Sequence, residues 1–173
     1  LQQIDPRSKI HPDAEAYLEW LAADHLVREA ELAYSRADGP RAFNLLTEAM
    51  RSPSLGKLAK ESISKRRTHW SRVVHAYDRG MRSNGGTDKD VDLAAEELRI
   101  VLKLEQDPKN LYRTRAEEQL EHLRGGREAK LRQRIQAGLS ALKAHNYVSA
   151  MRSFDAVAND PVHRAGDLDR IRN

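Results

Sequence analysis

Histidine is the first residue type to weigh for a metal. The seven histidines (His11, His25, His69, His75, His122, His145 and His163) include no pair four residues apart, the spacing that sets two imidazoles on one helix face. No metal site is expected. The string DKDVDLAAEELR, residues 88 to 99, offers Asp88, Asp90 and Asp92 in the rhythm of a calcium loop. It places Leu93 where the sharp turn needs glycine and Arg99 where a bidentate carboxylate belongs. Carboxylates at the positive end of a helix dipole explain the three aspartates better, with Thr87, Asp88 or Asp90 as the cap. Serine, histidine and acidic residues occur with no local signature that ties a nucleophile to a base, and no GxxxxGK[ST] phosphate cradle is present. The absence of cysteine removes disulfides, thiolate zinc sites and cysteine nucleophiles together. The expectation is a non-enzyme that needs no cofactor.

Positive charge is the remaining chemistry. LAKESISKRRTHWSR sets Lys60, Lys65, Arg66, Arg67 and Arg72 near Trp70, and a second basic set runs through Arg113, Arg115, Arg124, Arg127, Lys130, Arg132 and Arg134. Such residues can neutralise phosphates, which makes a nucleic-acid binder using basic helices 54–82 and 111–134 the main alternative reading. Two features weigh against it. Trp70 keeps helical step with Val73, Val74 and Tyr77, as a core residue does, and Glu117, Glu118, Glu121 and Glu128 dilute the second set. A charged protein interface, with Arg66, Arg67, Arg72, Arg132 and Arg134 as candidate contacts, is the preferred expectation.

The elements that must position these residues all read as helices. From Asp13 onward Leu18, Ala22, Leu26, Ala30, Ala33 and Ala37 recur at steps of three or four and predict one buried stripe. Asp38, Gly39 and Pro40 end that helix and start the next, with glycine at the left-handed end position. Ala42, Leu45, Leu46, Ala49 and Met50 face back onto the first helix. A third stretch reads Leu55, Leu58, Ala59 and Ile63, loses its stripe at 65–68, and resumes with Trp70 to Met81, so a kink or two helices are expected. SNGGTDKD, residues 83 to 90, is a loop. Val91, Ala94, Ala95, Leu98, Val101 and Leu102 form the next helix. Tyr112, Ala116, Leu120 and Leu123 follow, with Gly125 and Gly126 reversing the chain. Leu131, Ile135, Gly138 and Leu142, a short turn at 145–147, and Ala150, Met151, Phe154 and Val157 complete the series. The organisation expected is an extended lead over 1–11, a helical-hairpin domain over 12–160, and a tail or further helix over 161–173.

The segment GLSALKAHNYVSAMRSFDAVANDP, residues 138 to 161, resembles the central part of a tetratricopeptide repeat through Gly138, Tyr147, Ala150, Phe154 and Pro161. Weaker echoes run through Ala30, Ala33, Ala42, Leu46 and Ala49, and through Trp70, Val74, Tyr77, Ala94, Leu98, Val101 and Pro108. The resemblance implies an all-α array of antiparallel helical hairpins, about seven helices in all, with an interaction role. Ala42, Ala94 and Ala150 take the matching second-helix position but lie farther apart than the family's repeat of about 34 residues, so insertions separate the hairpins and no ligand residues carry over. An irregular α-solenoid or bundle is the other form of the same reading.

Composition fits this picture. At 173 residues with 39% apolar and 32% charged side chains, the chain carries enough Leu, Ala, Val and Ile for one packed core or compact array. No apolar run approaches the ~18 residues of a membrane span and the first eleven residues lack a signal-like stretch. With no cysteine, this leans toward the cytoplasm. Because the chain opens with Leu1 rather than Met, it reads as a processed product or an excerpt of a longer protein. The charge is lopsided: residues 12–50 carry eight acidic against three basic side chains, and residues 54–82 carry eight basic against two acidic. The function expected is a non-catalytic protein-interaction or scaffolding module, whose opposed charges steer protein partners and permit salt-sensitive self-association.

Overall fold

The computed structural model describes residues 11–82 and 87–160, and the regular elements among them are α-helices: α1 (His11–Ser35), α2 (Gly39–Met50), α3 (Lys57–Arg82), α4 (Asp88–Leu104), α5 (Leu111–Lys143) and α6 (Tyr147–Ala158). The all-helical class holds. His11, assigned to an extended lead by the sequence pattern, is already helical. Residues 1–10, 83–86 and 161–173, where the pattern places the rest of that lead, part of the SNGGTDKD loop and the tail, lie outside the described residues.

Six helices stand among the described residues where the pattern predicts about seven, because Gly125 and Gly126 do not reverse the chain. They lie inside α5 with no positive φ, and a Cβ on either would meet nothing within 4 Å. A helical glycine costs about 1 kcal/mol relative to alanine without forbidding the helix. Propagation from both sides carries the helix across the pair. In the same way α3 runs as one helix through 65–68 despite the lost stripe.

The chain forms two compact units, Leu1–Leu120 and Glu121–Asn173. In the first, α1 packs on α2, α2 on α3, and α3 on α4. The left-handed residue that turns α1 into α2 is Ala37 (φ 59°), not Gly39. The Asp38 amide donates to the Ala33 carbonyl at 2.9 Å and the Ala37 amide to that of Tyr34 at 2.9 Å, which satisfies two carbonyls at the helix end. Gly39 instead opens α2, where Asp38 caps the helix by accepting from the Arg41 amide at 3.2 Å and proline fits the first turn.

The core of this unit is made of Ala30, Ala33 and Tyr34 from α1, Ala42, Leu46 and Ala49 from α2, Ile63, Trp70, Val73 and Val74 from α3, and Ala94, Leu98 and Val101 from α4. Only the second half of α1 follows the predicted stripe. Tyr17, Leu18, Trp20 and Leu21 are exposed, and Leu58 of α3 is 80% exposed. Periodicity identifies a helix face, but a neighbour must reach that face to bury it. At Gly80 one does: a Cβ there would stand 2.7 Å from the Leu98 side chain, so α3 and α4 approach closely only because the residue is glycine. At the start of α4, Asp90 accepts from the Thr87 amide at 2.7 Å and its hydroxyl at 2.9 Å. The hydrogen bond from the Thr87 backbone, then that from its side chain, holds the Asp90 carboxyl below the usual range. Of the three candidates for the cap, Thr87 takes the N-cap position and Asp90 completes the capping box.

The second unit contains α5 from residue 121 onward and α6. His145, at φ 58°, turns one into the other, with the Asn146 amide donating to the Ala141 carbonyl at 2.9 Å and the Asn146 side chain accepting from the Ser149 amide at 3.2 Å. Leu123, Leu131, Ala150 and Val157 are buried. Gly138 lies against Phe154, and a Cβ there would stand 2.8 Å from its ring.

Candidate functional site

Four aromatic side chains gather in the first unit although aromatic residues are only 5% of the chain. Tyr34 stacks on Trp70 with ring centroids 4.3 Å apart and planes 6° from parallel. Tyr112 tilts against Tyr34 at 5.4 Å, and Tyr77 meets Tyr112 edge-on at 5.1 Å. Trp70 is thus a core residue, as its spacing predicts, and offers no open platform for a nucleobase. The Tyr112 hydroxyl accepts from the Gly39 amide at 2.9 Å. Burial pushes the Tyr112 phenol up to about 12, against the lowering effect of that amide. Burial, followed by the hydrogen bond to Glu105, holds the Tyr34 phenol still further above its ordinary value.

Glu105 is the pivot of this cluster. It follows α4 directly and is only 8% exposed. One carboxylate oxygen accepts from the Tyr34 hydroxyl at 2.8 Å and from the Asn110 side-chain amide at 3.2 Å; the other accepts from the Asp107 backbone amide at 3.1 Å. Asn110 in turn accepts from the Tyr112 amide at 2.9 Å and so caps α5. Arg113 donates to the backbone carbonyls of Leu102 and Glu105, at 3.3 and 2.9 Å, and closes the end of α4. Its guanidinium then pairs with Glu117, and no cation pairs with the Glu105 carboxylate among the described residues. Above Glu105 opens a cleft of about 640 Å³ between α1, α3 and the 105–110 segment. Tyr34, Trp70 and Leu32 give it apolar wall, and Glu31, Asp107 and Arg28 give it charge.

The candidate arginines occupy different surroundings. Arg66 of α3 pairs with Glu31 of α1, and its guanidinium carbon lies 5.9 Å from the Trp70 ring centroid, so it fastens α3 to α1 at the edge of the cleft. Arg67 and Arg72 are exposed on α3 without an ion pair among the described residues. Arg132 and Arg134 belong to the second unit. Arg132 is 3.6 Å from Glu128 across one helical turn and 81% exposed, a contact that water and salt largely screen. Arg134 lies 3.8 Å from Asp160.

Asp160 organises the second unit as Glu105 organises the first. Its side chain is 5% exposed, and the Arg127 Nε donates to it at 2.9 Å from a side chain itself 11% exposed. With Arg134 nearby, two guanidinium groups face one carboxylate. Elsewhere in this unit large apolar side chains stay in water. Ile135, Leu139 and Leu142 follow one another at steps of four and three along a face of α5, at 38%, 44% and 41% exposure. Tyr147, Val148 and Met151 of α6 are 63–66% exposed. Six such residues in one pair of helices are more than a solvated surface needs.

Glu105, Asn110 and Tyr34 were not candidates in the sequence, because residues distant in the chain assemble their site. The one available signal is LEQDPKN itself, an acidic residue at a helix end followed by a capping asparagine. No protein-family model matches the chain, and no curated protein and no solved structure is similar to it.

Proposed function

We propose that this chain is a non-catalytic protein-interaction module that docks another protein through the exposed apolar flank of α5 and α6. The observation that carries this reading is the row Ile135, Leu139 and Leu142, each 38–44% exposed, together with Tyr147, Val148 and Met151, each 63–66% exposed, on two short stretches of helix. Burying side chains of this kind against a partner is the main source of affinity in protein complexes, and each would contribute about 1.5–3 kcal/mol when fully covered. The array of helical hairpins suggested by the tetratricopeptide resemblance is part of the proposal. Gly138 against Phe154 supports it, since a small residue at a close helix crossing is the feature on which the resemblance rests.

A nucleic-acid role has less support. Trp70 is enclosed by Tyr34, and Arg66 and Arg134 lie beside carboxylates. Salt-sensitive self-association stays within the same proposal, with a second copy as the partner and the unequal charge of residues 12–50 and 54–82 as its steering force. The test is capture from native lysate, with and without nuclease, using the chain, a Leu139→Asp/Leu142→Asp variant and an Arg67→Glu/Arg72→Glu variant. Nuclease-resistant proteins retained by the arginine variant and lost by the leucine variant are the expected result. Capture that collapses with nuclease, or that only the arginine variant loses, contradicts it.

A further inference from the structure

We infer that the first half of α1 and the start of α3 form a self-complementary face through which two copies of this chain associate about a two-fold axis. This face gives the self-association proposed above its surface. It uses none of the α5–α6 flank, so either can fail without the other.

At 12 residues α2 spans about half the length of the 25-residue α1, and it covers the second half, where Ala30 and Ala33 are buried. The first half has no such cover, yet it carries Tyr17, Leu18, Trp20 and Leu21, all exposed. Two contacts fix where α3 stands beside it. The Ser54 hydroxyl donates to Glu19 at 2.9 Å and Arg66 pairs with Glu31, each contact joining residues 35 apart in the chain. The two stretches therefore run parallel and in step, with Leu58 level with Ala23 and less than one turn from Trp20 and Leu21. Trp20, Asp24, Val27 and Glu31 share one side of α1, and Leu58, Ser62 and Arg66 share one side of α3, because steps of three and four return to the same face. Arg66 reaches Glu31, so these two sides look toward each other. Leu58, 80% exposed, and Trp20 thus border one groove, whose apolar rim continues through Tyr17 and Leu21. Grouped exposed apolar side chains of this size mark an interaction surface.

Charge selects the occupant. Residues 14–25 carry Glu15, Glu19 and Asp24 and no Lys or Arg, whereas residues 57–65 carry Lys57, Lys60 and Lys65 against Glu61 alone. Pairing α1 with α1 would set two acidic stretches together. A two-fold axis running along the groove instead lays α1 of each copy on α3 of the other at the same level. Acidic stretch then meets basic stretch twice, and Leu58 of each copy reaches the Trp20–Leu21 stretch of the other.

The experiment is sedimentation equilibrium of the whole chain from about 1 to about 200 μM, at about 50 mM and about 500 mM salt. One monomer–dimer equilibrium is expected, with no heavier species because a two-fold interface closes, and with a dissociation constant that rises with salt. Leu58→Asp and Tyr17→Asp alter exposed side chains, so each should keep its helical circular dichroism and raise that constant about tenfold or more. Lys57→Glu/Lys65→Glu should raise it most at the lower salt. Leu139→Asp/Leu142→Asp should leave it unchanged. A monomer at every concentration overturns the inference and leaves docking through α5 and α6 standing. Species heavier than a dimer, or a dimer that Leu58→Asp leaves intact, overturn it as well.

Discussion

Glu105 and Asp160 are both carboxylates taken almost completely out of water, and the chain treats them in opposite ways. Asp160 meets Arg127 at 2.9 Å and Arg134 at 3.8 Å. Glu105 meets a phenol, a side-chain amide and a backbone amide, none of them charged. The first arrangement compensates its charge and fixes α5 to the chain just after α6. The second ties α1 to the α4–α5 connection through neutral donors alone. The difference teaches that a fold can satisfy a buried carboxylate in two ways, by counter-charge as at Asp160 or by neutral hydrogen-bond donors as at Glu105.

Breaking the two sites should have unequal consequences. Asp160→Ala removes the buried carboxylate that Arg127 and Arg134 face and should destabilise the second unit by about 3 kcal/mol or more, the usual cost of removing one partner from a buried ion pair. Amide exchange measured along α6 would show the loss. Glu105→Gln keeps an acceptor for Tyr34 and Asn110 and gives up the bond from the Asp107 amide, so it should cost only about 1 kcal/mol in thermal unfolding. Equal costs at the two sites would mean that Glu105 is as structural as Asp160.

Alkaline pH sharpens the contrast between the units. The folded first unit holds the proton of Tyr112 up to about 12, whereas the unfolded chain gives it up near the ordinary value of about 10. Over that window the folded state binds more protons, so its stability falls as pH rises from 10 through 12. The shift at Tyr34 has the same direction and adds to the effect. Near-ultraviolet circular dichroism of the Tyr34–Trp70 stack should report earlier melting at pH 11 than at pH 9. The smallest effect belongs to Gly125 and Gly126. Alanine at either should stabilise α5 by about 0.5–1 kcal/mol, since helical φ and open space leave only the entropic gain. A drop in melting temperature would mean that the glycines serve close packing after all.

Much of the helical order was legible because Ala42, Leu46 and Ala49, or Ala94, Leu98 and Val101, repeat at helical spacing and are buried together. What periodicity could not supply is the neighbour: Leu18, Leu58, Ile135 and Leu142 keep the same rhythm and stay exposed. Gly125 and Gly126 have the local propensity of a break, but the helical segments on either side carry α5 through them. Ala37 took the left-handed position expected of Gly39, since the closing hydrogen bonds to Ala33 and Tyr34 fix where the turn falls. The Glu105 site was not legible at all, because it joins residues from α1, α3 and the start of α5.

The most direct test of the protein-docking claim is photocrosslinking with benzoylphenylalanine placed at Leu139 and, in a separate variant, at Arg67. Discrete nuclease-resistant protein adducts from position 139, with few from position 67, are predicted. Adducts that form chiefly at position 67 and disappear on nuclease treatment would contradict the account.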